Sequence, residues 1–336
     1  MVNIIYIRKS PEGLFDGTAN YCNALYQFFK DEQDIHALPI VNYSAKKSKL
    51  LKYYYKKKDL ISAISQADII HINGYTAWGT AQALYYAKKL NKKVVYTAHW
   101  HPFQYLKHPF LGLLFFNIVL KPLIRKCADS VIAINNEDYK FFNGFHNDVY
   151  KIPHWYKLSG KINTIPKKKN MILFVGRIDD PVKHIETLYS IPEGKYEIHC
   201  VGKGTLRNRK DIHQHTNISN EELWKLYTES SLTVIPSKYE AFSYVALESL
   251  SHGTPVVMSD RVRIADHLQG LKGYSIFKYD DFNDFNQKID KTIGITVDKD
   301  AIIELFSPQK IKNLYKIIYS KSQVQHRTAI PSTGVA

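Results

Sequence analysis

Pro236-Ser237-Lys238-Tyr239-Glu240-Ala241-Phe242-Ser243-Tyr244-Val245-Ala246-Leu247-Glu248-Ser249-Leu250-Ser251-His252-Gly253-Thr254-Pro255-Val256-Val257 is the stretch that decides the fold. It follows an apolar run at 232–235, enters a helix near Ser243, leaves it at Gly253 and resumes as a strand at Pro255. The start of such a helix presents backbone N–H groups and a positive dipole end, which suits a diphosphate. Glu240 precedes the helix and Glu248 lies about one and a half turns inside it. Ionised carboxylates only accept hydrogen bonds, so beside an anion they suit hydroxyl groups of a ribose and a sugar. The pattern predicts a nucleoside diphosphate sugar as ligand.

Working outward, 171–175, 197–201, 232–235 and 255–258 read as strands, with helices at 220–228, 243–251, 281–293 and 308–319. The first half has the same alternation. Strands are expected at 3–7, 35–40, 68–72, 93–97 and 130–134, and helices at 18–29, 79–90 and 110–126. Such alternation predicts α/β architecture with two doubly wound, Rossmann-like parallel-sheet domains. Expected limits are 1–160 for the first domain and 170–305 for the second. A closing helix at 306–321 is expected to pack back on the first domain, with a loose tail at 322–336. The aperiodic stretch 157–170, with Gly160, Pro166 and Lys167 to Lys169, reads as the linker. Open α/β sheets bind ligands at the carboxyl ends of their strands, so the chemistry is expected between the domains.

The chain resembles the GT4 family of retaining glycosyltransferases, glycosyltransferase group 1, whose E-x7-E motif is matched by Glu240 and Glu248 and whose G-x-P-V-V is matched by Gly253 to Val257. A bare E-x7-E is a common accident; flanked by Pro236-Ser237 and Gly253 to Val257 it is specific. The resemblance implies the GT-B fold, two Rossmann-like domains facing across a cleft. Phe174-Val175-Gly176-Arg177-Ile178 before Lys183 resembles the segment whose Arg and Lys hold the donor diphosphate. Here Asp179-Asp180-Pro181 lengthens the loop by one residue. Gly202 and Gly204 match a glycine turn beside the nucleotide, and 217–227 resembles the segment leading into the strand before Pro236. The resemblance thus implies donor binding by Gly176, Arg177, Lys183, Gly202, Gly204, Glu240, Ala241, Phe242, Ser243, Tyr244 and Glu248. Gly17 fits a glycine-rich loop after the first strand, although Asp16 stands where a second glycine is expected. His99 matches a histidine near the transferred sugar, with His101 a rival two residues on. Catalytic roles are implied for Glu240, His99, Arg177 and Lys183. Arg177 could instead pair with Asp179 or Asp180 at the surface.

The implied activity is that of a retaining hexosyltransferase using a UDP-sugar in preference to a GDP-sugar. The acceptor is expected to be a glycan, lipid-linked, in bacterial surface polysaccharide synthesis such as O-antigen, lipopolysaccharide or capsule. No cofactor is required, and no DxD-like site demands a metal. A sugar-nucleotide epimerase or a phosphorylase of the same fold is the first rival. A non-catalytic nucleic-acid-binding protein is the second, but it leaves 240–257 unexplained.

Composition narrows the setting. The 336 residues are 45% hydrophobic and 23% charged, as in globular proteins. Cys22, Cys127 and Cys200 lack CxxC spacing, so neither a disulfide framework nor a zinc cluster is indicated. Residues 1–169 hold 25 Lys and Arg against 11 Asp and Glu, whereas 170–336 hold 21 against 20. A basic first domain implies a polyanionic partner. The runs Lys46 to Lys49 and Lys52 to Lys58, with Tyr53, Tyr54 and Tyr55 between, are compatible with a solvated helix face, the commonest origin of such runs, with a nucleic-acid site, or with an anionic membrane surface contact, the reading favoured here. The apolar run 110–120 is too short to span a bilayer and reads as a covering helix. The N-terminus opens on a strand without a secretory signal, so a cytoplasmic protein is expected, peripheral at the inner face of the membrane.

Overall fold

The computed structural model describes residues 2–7, 17–41, 55–74, 77–99, 109–157 and 166–327. The chain forms two compact units, Met1–His154 with Ile311–Ala336, and Trp155–Lys310. Each is built on a six-stranded sheet whose strand pairs are all parallel.

The first unit contains β1 (Val2–Ile7), β2 (Ile35–Val41), β3 (Ile69–Asn73), β4 (Lys93–Thr97), β5 (Ser130–Ala133) and β6 (Val149–Lys151), in the order β2-β1-β3-β4-β5-β6. Its central strands are sealed on both faces, which is why β3 reads Ile-Ile-His-Ile-Asn with every residue buried. Val149–Lys151 escaped the sequence reading because three residues carry no period.

The second unit contains β7 (Lys168–Val175), β8 (Glu197–Val201), β9 (Ile212–His215), β10 (Ser230–Ile235), β11 (Val256–Ser259) and β12 (Tyr274–Phe277), in the order β12-β11-β10-β7-β8-β9. Ile172, Phe174, Ile198, Leu232, Val234 and Val257 make its core. Each contributes roughly 1.5–3 kcal/mol by leaving water. β9 lies at the sheet edge and consists of Ile-His-Gln-His, so it has no apolar run to betray it.

The closing helix, Pro308–Arg327, is longer than the expected 306–321 and takes in the first part of the segment read as a tail. From Ile311 on it belongs to the first unit. Its Tyr315 hydroxyl meets that of Tyr21, its Tyr319 hydroxyl lies 2.7 Å from His71 Nδ1, and Lys312 and Lys316 both donate to Glu32. His71 also bonds Thr97 Oγ1 at 2.7 Å, and burial pushes its imidazole down to about 3, so it is held neutral in the core.

Three expectations need correction. The helix expected over 110–126 runs as Pro109–Phe115, a π turn Phe116–Leu120 and Lys121–Cys127. Pro122 lacks the N–H that would close a regular turn there. That helix covers the sheet with one face only: Phe116, Leu120 and Ile124 are buried, while Phe110, Leu113, Leu114 and Ile118 are exposed. Tyr55, read as part of a membrane-facing run, is a core residue whose backbone N–H donates to Gln82 Oε1. Residues 46–54 of the basic runs lie outside the described set, whereas Lys56, Lys57 and Lys58 are described and exposed. The expected linker 157–170 is shortened at its end, because β7 begins at Lys168.

Candidate active site

In the second unit, renumbering from β7 gives the spatial order 3-2-1-4-5-6, the doubly wound arrangement whose direction reverses between its first and fourth strands. Here these are β7 and β10. The loops leaving their carboxyl ends are those beginning at Gly176 and at Pro236, so topology alone brings the two sequence motifs together.

The β7 loop turns tightly, with Asp180 N–H donating to Arg177 O at 3.3 Å and Lys183 N–H to Asp180 O at 2.9 Å. Asp179 Oδ1 accepts from Thr205 N–H, and Asp180 Oδ1 from Val182 N–H. The lengthened loop is therefore closed by its own acids. The two loops are stitched by Lys238 N–H donating to Val182 O at 2.7 Å. Lys183 then runs past Gly176 and places Nζ 2.7 Å from Glu240 Oε1, where Ser237 Oγ also donates at 2.7 Å. Glu240 is held through its backbone as well, donating to Arg261 O and accepting from Arg263 N–H. Lys183, Glu240 and Ser237 form one rigid group, mostly screened from water.

Arg177 is not part of that group. Its guanidinium pairs with Asp180 and its side chain is 80% exposed.

Ser243 has extended backbone angles and caps the helix Tyr244–Ser251, accepting from Ala246 N–H at 3.4 Å. Phe242 is buried against Tyr244, Phe306 and His267, so its side chain packs and only its backbone is left to serve a ligand. Glu248 lies on that helix and accepts from Tyr227 Oη–H at 2.9 Å. Burial pushes its carboxyl up to about 7, and the tyrosine hydroxyl pulls partly against that shift. Tyr227, fully buried, has its own hydroxyl pushed well up, first by burial and then by Glu248, with a smaller contribution from Glu240. It therefore lies within electrostatic reach of both carboxylates.

The glycine turn after β8 completes this end of the sheet. Gly202 and Gly204 have φ of +153° and +136°. A Cβ on Gly202 would sit 1.8 Å from the Gly176 carbonyl oxygen, so the turn and the β7 loop touch backbone to backbone. Gln214 Nε2 donates to the carbonyls of both Gly202 and Gly204, at 3.0 and 2.9 Å. Ser237, Tyr227 and Gln214 were not singled out as site residues from the sequence. Only Ser237 carried a signal, as part of the Pro-Ser pair.

In the first unit, His99 follows β4, is buried, and places Nε2 3.4 Å from Asn73 Oδ1 at the end of β3. Tyr21 packs edge-on to it at 4.5 Å between ring centres. Gly17 opens the helix Gly17–Phe29. Residues 8–16 and His101 lie outside the described set. Among the described residues, no group of three or more His, Cys, Asp or Glu is arranged to hold a metal ion, and no helix is long and apolar enough to cross a membrane.

Two family models match the chain: "Glycosyltransferase Family 4" over residues 19–155 and "Glycosyl transferases group 1" over residues 158–301. An uncharacterized 41.2 kDa protein of the cps region of Klebsiella pneumoniae is 25% identical over 284 residues, covering 75% of this chain and 78% of that protein. Among solved structures, Anabaena Alr3699/HepE in complex with UDP and glucose superimposes with a TM-score of 0.70 at 14% identity, over 96% of this chain and 100% of the other. The lipopolysaccharide outer core galactosyltransferase WaaB superimposes with a TM-score of 0.68 at 18% identity, over 95% and 99%. With one model on each half and the two Rossmann-like sheets above, the chain belongs to the group 1 glycosyltransferases and has the GT-B fold.

Proposed function

We propose that this glycosyltransferase moves a hexose from a nucleotide sugar, UDP-linked in preference to GDP-linked, to a glycan acceptor with retention of anomeric configuration. The contact of Lys183 with Glu240 at the β7 and β10 loop ends carries this reading, because it sets a cation beside a carboxylate at the strand-order reversal. Lys183, Arg177 and the Ser243-capped helix start are assigned to the diphosphate, Glu240 to hydroxyls of the transferred sugar and Glu248 to the ribose. Gly176, Gly202 and Gly204 are assigned to the donor through their backbone, and the backbone from Ala241 to Tyr244 is assigned to lie along it. His99 and Gly17 are assigned to the sugar side of the first unit.

In the transfer, the bond from the anomeric carbon to the diphosphate oxygen breaks and its electron pair leaves with the diphosphate. The acceptor hydroxyl oxygen bonds the anomeric carbon on the face just vacated and gives its proton to a diphosphate oxygen. Stabilising the departing charge is the main task of Lys183, Arg177 and the helix amides. No general base from the protein is needed in this scheme.

The UDP seen in one structural relative supports the donor preference, and the relatives in a cps region and in lipopolysaccharide core synthesis support a bacterial surface polysaccharide as product. The acceptor is assigned as lipid-linked, presented at an anionic membrane face. The test is to incubate the protein with a panel of UDP- and GDP-hexoses, with and without a lipid-linked glycan. Nucleoside diphosphate release that depends on acceptor, with an anomer matching the donor's in the product spectrum, is expected. An isomerised sugar nucleotide from donor alone makes the protein an epimerase instead.

A further inference from the structure

We infer that the helical segment Pro109–Cys127 docks this protein on anionic lipid. The assignment rests on exposure, not on the tyrosine and lysine runs at 46–58. Exposed side chains along the segment follow one stripe: Phe110, Leu113, Leu114, Asn117 and Ile118, then Pro122, Arg125 and Lys126, with the half-buried Lys121 between. The opposite stripe, Phe116, Leu120 and Ile124, fills the core. Phe110 is 73% exposed and Ile118 65%, among the most exposed large apolar side chains in the described structure. The apolar part of the stripe is about 12 Å long, and the cations begin within one turn of its end.

The neighbouring helix Ala77–Lys89 repeats the gradient. Its Trp78, 40% exposed, stacks edge-on with Phe115 at 5.1 Å between ring centres. Its last turn carries Lys88 and Lys89, and Lys88 shares the electrostatic surroundings of Cys127 with Lys126. Two helices therefore present an apolar end and a basic end side by side. Large apolar side chains left uncovered next to one another and rimmed by cations mark an interaction surface. An apolar toe fits the acyl boundary and a basic heel fits lipid phosphates, which an uncharged partner or a purely apolar one does not satisfy. This surface deepens the membrane-face reading of the acceptor, yet it is measured without donor or acceptor.

The experiment is co-sedimentation of the full chain with vesicles of phosphatidylcholine alone and of phosphatidylcholine mixed with phosphatidylglycerol. Binding to the anionic vesicles only, weakening with salt, is expected. Lys121→Gln and Arg125→Gln should each lower the partition coefficient about fivefold. Phe110→Ser and Ile118→Ser should each lower it on the order of tenfold. All four variants should keep their donor turnover toward a soluble acceptor, which shows that they are folded. Equal binding to neutral and anionic vesicles, or wild-type binding by the Phe110→Ser, Ile118→Ser double variant, overturns the inference. So does a lipid-free dimer that Ile118→Ser converts to monomer, since the face is then a contact between copies. A wild-type chain that transfers sugar but binds neither kind of vesicle refutes this surface alone; a wild-type chain that binds anionic vesicles but transfers no sugar refutes only the active-site reading.

Discussion

Lys183 Nζ sits 2.7 Å from Glu240 Oε1, joining residues 57 apart in sequence across the two loops that leave β7 and β10. Both side chains are largely screened from solvent, at 22% and 13% exposure, so each partner depends on the other for its solvation. Lys183→Met and Glu240→Gln are each expected to destabilise the fold, and the double variant is expected to cost less than their sum. A coupling of roughly 0.5–3 kcal/mol in urea unfolding is the expected reading. Transfer should fall by about 10²–10³ in either single variant and stay low in the double, because restored balance does not restore a leaving-group cation. Additive stabilities would show that the pair is incidental.

Arg177 separates stability from chemistry more cleanly. Its guanidinium is exposed and, among the described residues, is held by Asp180 on one side, a surface ion pair of small worth. Arg177→Ala should leave unfolding within about 0.5 kcal/mol of wild type. If the guanidinium swings to the donor diphosphate, kcat/KM should drop at least about tenfold, the loss of one charge-assisted contact. Unchanged kinetics would leave Arg177 as a loop ion pair.

The architecture was legible because parallel strands sealed on both faces must be written as apolar runs, and β3, β7 and β10 are. The carboxylate pair was legible because its spacing is fixed by a helix entered at Ser243. What escaped has physical reasons. Val149–Lys151 is too short to show a period, and Ile212–His215 is an edge strand whose outward side chains are free to be polar. Tyr227 and Gln214 escaped because they act on the site through tertiary contacts, with Glu248 and with the carbonyls of Gly202 and Gly204. Nor does the sequence show that Phe242 turns inward to Phe306, or that Asp180 holds Arg177. The exposed face of Pro109–Cys127 was hidden by an apolar run in which core-facing and outward residues look alike.

Gly202 tests whether the β7 loop and the glycine turn must touch. An alanine there adds a Cβ 1.8 Å from Gly176 O at a φ of +153°, and the obstructing atom is backbone that cannot move aside cheaply. Gly202→Ala should cost about 3 kcal/mol or more. Gly194 is the control: its φ is +78° but a Cβ meets nothing within 4 Å. Gly194→Ala should cost only the roughly 1–2 kcal/mol of a left-handed backbone. Comparable melting temperatures for the two variants would contradict the close approach.

Glu248 ties the folding equilibrium to pH. Burial raises its carboxyl to about 7, whereas in an unfolded chain it titrates at about 4.3. Between those values the folded state keeps a proton that the unfolded state has lost. Stability from this group is therefore full below the lower value, declines as pH climbs through the interval and is flat above the upper one. The decline amounts to roughly 3–4 kcal/mol. Glu248→Gln does not titrate, so urea midpoints of the variant relative to wild type should rise between pH 5 and pH 8. A ribose that donates its hydroxyls to Glu248 favours the ionised form, since only that form accepts with both oxygens. Saturating nucleotide sugar should therefore flatten the wild-type pH dependence and leave that of Glu248→Gln unaltered. Were donor to steepen the dependence instead, Glu248 would be a protonated packing group kept neutral by burial against the opposing pull of Tyr227, and the ribose would have to be sought elsewhere.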